Sequence, residues 1–245
     1  MQINPAIIKK QFEKSFGTYN ANALVQKIMA QKMISKLCEI QHNWDNILEL
    51  GAGTGLLTDE IKKYLKFKNF YANDLVAKSE IYIKKIIPDV IFYCGNAKRI
   101  KPTKKMDLII SNAMFQWFKD FDEISILYKN MLNKDGILAF SSFSPENYKE
   151  IRDITGISLE YKTSNEIKNI FSKDYDILYY EEFENILKFN SPLEILAHMK
   201  NTGVNCLSKN NWTFKDVKEF CEKYSKKYPE NSLTYSSIIF ICKKK

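Results

Sequence analysis

The sequence predicts an α/β fold, a mostly parallel sheet of seven strands with helices on both faces. Two observations carry that expectation. From residue 46 onward, short apolar runs alternate with helical stretches, the rhythm of right-handed βαβ units. The first run leads straight into Gly51-Ala52-Gly53-Thr54-Gly55, a turn of the kind that joins a buried strand to a helix beside a ligand. A chain of 245 residues, 45% of them apolar, is long enough to bury one such core.

The elements follow in order. Asn4 and Pro5 supply an N-cap and a first helical position, and Ile8, Phe12 and Phe16 share one face until Gly17 stops the turn. A linker holding Tyr19 leads to a second helix over 21–38, with Leu24, Ile28 and Leu37 near one stripe. Strands over 46–50, 70–74, 89–94, 106–111 and 136–143 alternate with helices near 55–65, 76–87 and 121–132. Beyond Pro145 the rhythm loosens. Helices near 146–153 and 164–172, a strand over 176–183, helices near 191–201 and 214–226 and a strand near 235–242 complete the chain.

Lys+Arg outnumber Asp+Glu by 37 to 29, a net +8, and only Arg99 and Arg152 are arginines. That excess suits an acidic partner, or equally a solvated lysine surface. The five cysteines form no C-x-x-C pair and the two histidines stand apart, which points to a reducing compartment and to no metal site. No signal peptide and no apolar run long enough for a bilayer can be read, so a cytoplasmic protein is expected, with no membrane partner.

The stretch ILELGAGTGLLT, residues 47–58, is the most informative in the chain. Its spacing is G-x-G-x-G, without the third glycine of the dinucleotide fingerprint, and Glu49 precedes it. A pyrophosphate gains nothing from that carboxylate, whereas a ligand with an ammonium group does. Asp74 ends the second strand, where a carboxylate can accept from both ribose hydroxyls or cap the next helix. Asn96 follows the third strand, where it can bond an adenine edge or form a turn.

With these residues in place, residues 45–145 resemble the class I S-adenosylmethionine-dependent methyltransferases, which implies a Rossmann-like fold. On that likeness Gly51, Ala52 and Gly53 pack against the methionine part and Glu49 helps hold its amino group. Asp74 with Leu75 takes the ribose, Asn96 with Ala97 the adenine, and Ser111 and Asn112 belong to the same cofactor site. Many members carry aspartate where this chain has Asn96, whose carbonyl can still accept from the adenine amino group. Residues 1–245 are then one domain, with a helical cover over 1–41, a cofactor-binding core over 45–145, and an acceptor or lid region with the final strands over 146–245.

A second set of segments extends the likeness over most of the chain. FEKSFGTYNANALVQKIMAQKM near the start, SNAMFQWF at 111–118, LAHMKNTGVN at 196–205 and LTYS at 233–236 are together similar to the malonyl-acyl-carrier-protein O-methyltransferases of biotin synthesis. The trans-aconitate methyltransferases share some of these features. The resemblance implies methyl transfer from S-adenosylmethionine to the free carboxylate of a malonyl thioester, a monomeric enzyme and an acidic acyl carrier protein as partner. Tyr19, Gln116 and Trp117 would line the reacting end, and Arg152 would offer a fork for the carboxylate. Read as plain structure, Trp117 would be the first core residue of the next helix and Arg152 a surface residue paired with Glu150 or Asp153. Candidate docking lysines are Lys149, Lys162, Lys168 and Lys200. The open alternatives are another small carboxylate or a quinone precursor as acceptor, RNA, and a cofactor-binding protein without turnover. Nucleic acid is disfavoured, because the chain has no N-P-P-Y tetrad and no arginine-rich segment.

Overall fold

The computed structural model describes residues 4–204 and 212–245. Asn205 and Cys206, both noted in the sequence, lie outside the described residues. Seven strands form one sheet in the order β3-β2-β1-β4-β5-β7-β6. β1 (Asn43–Leu50), β2 (Lys66–Asp74), β3 (Ile91–Cys94), β4 (Met106–Ser111) and β5 (Leu132–Phe143) are parallel, and β7 (Ser232–Lys244) runs antiparallel between β5 and β6 (Tyr175–Lys188). The expected class, a mostly parallel sheet covered on both faces, is the observed one.

Alternate strand residues feed the two faces. On one side Ile47, Leu108, Ala139 and Ile239 meet Met33 and Leu37 of α3 (Leu24–Ile40), Ile61 of α4 (Leu56–Tyr64) and Ile83 of α5 (Ser79–Ile86). On the other, Leu48, Ile109, Leu138 and Phe240 meet Ile124 and Tyr128 of α6 (Phe121–Met131) and Phe171 of α8 (Ser164–Phe171). Each such side chain contributes about 1.5–3 kcal/mol by leaving water. β6 is an edge strand, and its strict alternation of half-buried and exposed residues shows it.

A third cluster sits at one end, where α7 (Lys149–Thr155), α9 (Pro192–Asn201) and α10 (Phe214–Lys227) pack Ile151, Ile195 and Phe220 against Val25 and Met29 of α3 and Tyr235 of β7. α8 and α10 start from capping boxes, Thr163 with Glu166 and Thr213 with Asp216, each satisfying two orphan donors.

Several boundaries differ from expectation. The buried stripe of α3 is Val25, Met29, Met33 and Leu37, and Leu24 is exposed, because the helix starts at Leu24 and its first side chain lies outside the packed face. Tyr19 belongs to a four-residue turn, α2 (Tyr19–Asn22), and not to an extended linker. β5 begins at Leu132, before the expected Gly136. Its register on β4 slips between Met106 and Leu108, and Asp135 takes a left-handed φ of 61° to absorb the extra residues.

Candidate active site

β1 pairs with β2 on one side and β4 on the other, and the chain leaves these strands in opposite directions, so a crevice opens above their carboxyl ends. A cavity of about 640 Å3 fills it. The turns after β1 to β4 form its floor, while α1 (Pro5–Ser15), α2 and residues 159–162 close over it.

The turn after β1 is fitted closely. Gly51 has φ 67°, and a Cβ there would come within 2.7 Å of Met114 Cγ, so only glycine lets the turn and the Met114 side chain share this space. Ala52 and Gly53 continue the wall. Glu49, only 1% exposed, accepts from the Thr58 hydroxyl at 2.6 Å. Burial, with the Asp74 charge added, pushes its carboxyl up to about 8 despite the Thr58 bond.

Asp74 uses both oxygens on backbone: Oδ2 accepts from Gly53 N–H and Oδ1 from Val76 N–H, each at 2.8 Å. Burial raises its carboxyl above the ordinary range, and those donors pull against the rise. Leu75, Asn96 and Ala97 continue the wall. Asn96 Oδ1 also caps the short turn Ala97–Arg99 through Lys98 N–H at 2.9 Å, so its capping and wall roles coexist.

The segment after β4 turns on Ala113, held at φ 50°. Phe115 is fully buried and stacks on Phe140 at 4.1 Å, which leaves Gln116 and Trp117 on the cavity wall. Trp117 is thus not the first core residue of α6, which begins at Phe121; it sits in a 3-10 turn, edge-on to Phe12 at 6.1 Å. Tyr19 lies 6.2 Å from the same Phe12 ring. Gln116 Nε2 donates to Ala113 O at 2.6 Å.

Two expected site residues are not brought to the cavity. Ser111 is fully buried and donates to Leu50 O at 2.9 Å, across the β1–β4 pair in which it faces Leu50. Arg152 donates to Pro145 O and lies 3.6 Å from Glu146, holding the loop before α7; neither Glu150 nor Asp153 is its partner. Glu150 is instead buried, accepting from Thr234 N at 3.0 Å and its hydroxyl at 2.5 Å. Asn112 does line the cavity, donating to Gln26 O at 2.9 Å and accepting from Ser141 at 2.6 Å.

Sequence reasoning missed Met114 and a buried polar hub behind Tyr19. His198 Nε2 lies 2.7 Å from the Tyr235 hydroxyl, which burial pushes up to about 12 against donors from Tyr148, Thr202 and Gln26. Burial holds His198 below its usual range and so favours the neutral ring, which shares one hydrogen bond with the Tyr235 hydroxyl. Gln26, a glutamine on the buried stripe of α3, was the one readable signal.

Four lysines, Lys9, Lys98, Lys119 and Lys162, stand in the cavity wall, and Lys98 is neutralised by Glu123. Of the expected docking lysines, Lys149 lies 3.9 Å from Glu184 and Lys168 sits 3.1 Å above the Tyr180 ring. Lys200 is exposed on α9, and only Lys162 reaches the cavity. Among the described residues no group of metal-ligating side chains is assembled, and no helix is long and apolar enough to cross a membrane.

A methyltransferase-domain model matches residues 48–140, the stretch that builds the floor. The malonyl-[acyl-carrier protein] O-methyltransferase of Calditerrivibrio nitroreducens is 36% identical over 96% of this chain and 96% of its own. The chain belongs to the malonyl-[acyl-carrier protein] O-methyltransferase family. The Haemophilus influenzae member is 32% identical over 98% of this chain and 95% of its own. The N-methyltransferase NodS of Bradyrhizobium japonicum, solved with S-adenosylhomocysteine, shares the fold, with a TM-score of 0.54 at 10% identity over 87% of this chain and 85% of its own. Both family matches run over nearly the whole chain, so they take in the N-terminal helices and the segments after β5 as well as the floor.

Proposed function

We propose that the chain methylates the free carboxylate of a malonyl group carried on acyl carrier protein, giving the methyl ester from which the pimeloyl chain of biotin is built. Near-full-length relationship to the family supports the reaction, and one observation on the site carries it: two carboxyl groups, the buried Glu49 and the half-buried Asp74, line the same cavity beside the Gly51 turn. That donor set fits S-adenosylmethionine, with Glu49 toward the ammonium, Asp74 toward the ribose and Asn96 with Ala97 toward the adenine. Bound there, it supplies an electrophilic methyl group on a sulfonium.

The residues at the other end do no proton chemistry. A malonyl half-thioester has a carboxyl pKa of about 3–4 and is already ionised, so the acceptor needs no base. Among the described residues no histidine lines the cavity, and His198 is committed to Tyr235 behind it. Phe12, Tyr19 and Trp117 instead wall the reacting end with aromatic surface, which excludes water and favours a cation by about 0.5–2 kcal/mol. Alignment of the two reactants is worth up to about 7–11 kcal/mol.

The test is transfer of label from S-adenosylmethionine to malonyl-acyl carrier protein, beside malonyl-coenzyme A, unmodified carrier protein, trans-aconitate and RNA. Base-labile label on the malonyl carrier is the expected result. Efficient transfer to another acceptor, with none to the malonyl carrier, defeats the reading.

A further inference from the structure

Beyond Tyr19 and Trp117 the cavity continues into a side lobe of about 20 Å3, large enough for one water-sized group. Phe12, Gln116, Asn147, Tyr148, Tyr161 and Leu159 help to wall it. No lysine, arginine or histidine is among its described walls. The arginine expected to bind the acceptor is turned away onto Pro145 and Glu146.

Two donors at the mouth of this lobe are unspent. The Tyr19 hydroxyl and the Trp117 indole N–H have no hydrogen-bond partner among the described residues, although both side chains line the lobe and the main cavity. Tyr19 is fixed from behind, since the Thr18 hydroxyl donates to Ser15 O at 3.1 Å and to Asn201 O at 3.2 Å. Trp117 is fixed by the buried Phe115 two residues before it. The Oε1 atoms of Gln26 and Gln116, which line the lobe and the main cavity alike, are buried without a donor.

We propose that the free carboxylate of the acceptor sits in the main cavity at the entrance to this lobe, held by the uncharged donors of Tyr19 and Trp117 and not by an arginine. The inference rests on the acceptor class proposed above. An arginine fork engages both carboxylate oxygens at once; two single donors leave lone pairs free to react. Without a protein cation beside it, the carboxylate takes its compensating charge from the cofactor, so acceptor binding depends on that charge.

The experiment is calorimetric binding of malonyl-pantetheine with an amide in place of its thioester. The protein is saturated either with sinefungin, which carries a protonated amine near the sulfonium position, or with uncharged S-adenosylhomocysteine. Binding is expected to be about tenfold tighter with sinefungin, and Tyr19→Phe and Trp117→Phe each to weaken it about tenfold, as for a lost hydrogen bond to a charged group. The affinity of both variants for S-adenosylhomocysteine should stay at the wild-type value. Arg152→Gln should bind the analogue as wild type does.

Loss of acceptor binding in Arg152→Gln with undiminished binding in both phenylalanine variants overturns the proposal, as does equal affinity in the two cofactor complexes. A wild-type protein that binds cofactor but no malonyl analogue in either complex overturns the acceptor class itself, and this inference with it.

Discussion

Cofactor binding should displace a proton from Glu49. In the ligand-free protein its carboxyl is pushed up to about 8 by burial and the Asp74 charge, so near neutral pH it is mostly protonated. An ammonium placed against it favours the carboxylate and lowers that pKa. Binding at about pH 7 therefore releases close to one proton, and the association constant climbs by up to about tenfold per pH unit as pH rises toward about 8. Stability of the free protein moves the other way. The folded pKa lies above the unfolded value of 4.5, so the contribution is present below 4.5 and is lost as pH rises to about 8. At 1.36 kcal/mol per unit, that loss is at most on the order of 5 kcal/mol. Calorimetric titration in two buffers of different ionisation enthalpy counts the protons, and thermal unfolding of the free protein reads the stability. Glu49→Gln should abolish the proton release and remove Glu49's share of the stability change, leaving the smaller shares of Asp74 and His198. No proton release by the wild type, with an affinity flat across this range, would refute the reasoning.

Three further outcomes follow from geometry. Gly51→Ala puts a Cβ within 2.7 Å of Met114 Cγ at a φ of 67°, so the turn must shift; cofactor affinity should fall at least about tenfold, measured by equilibrium binding. Adding Met114→Ala should restore part of it. Tyr235→Phe strips a shared partner from His198, Tyr148 and Gln26, and should cost about 1–3 kcal/mol in chemical denaturation while leaving cofactor affinity intact. Arg152→Gln loses a loop contact and a half-exposed ion pair, and should cost less than about 1 kcal/mol by the same measurement.

The cofactor half of the site was legible because it is local. Glu49, Gly51, Asp74 and Asn96 each stand at or just past a strand end, and a parallel sheet brings successive carboxyl ends to one edge. Ser111 misled for the same reason, since it also ends a strand, but its side chain falls on the β1 partner and bonds Leu50. At the other end Tyr19, Gln116 and Trp117 were legible and do line the cavity, whereas Gln26, Tyr148 and Tyr161 were not, because they come from separate segments that meet only in the folded chain. Arg152 was drawn to the site by chemistry alone. Sequence could not tell that the Pro145 carbonyl, seven residues away, would take its guanidinium. The β5 start was missed because the extra residues lie in a bulge at Asp135, which interrupts the strand pattern.

Charge is sorted along the cavity in a way that suits the reaction. The carboxylates Glu49 and Asp74 lie at the floor, the lysines Lys9, Lys119 and Lys162 stand in the wall, and the lobe between has aromatic rings, hydroxyls and amides. Methyl transfer from a sulfonium to a carboxylate extinguishes one positive and one negative charge. Charge is therefore smaller in the transition state than in the separated reactants, and a strongly polar lobe would stabilise the reactants more. An arginine against the acceptor would do the same, holding the carboxylate at its most solvated and least nucleophilic. Neutral donors in a dry aromatic setting orient the acceptor while leaving that charge undiminished for the methyl group. Lys9, Lys119 and Lys162 line the main cavity and not the lobe, so no lysine is among the lobe's described walls.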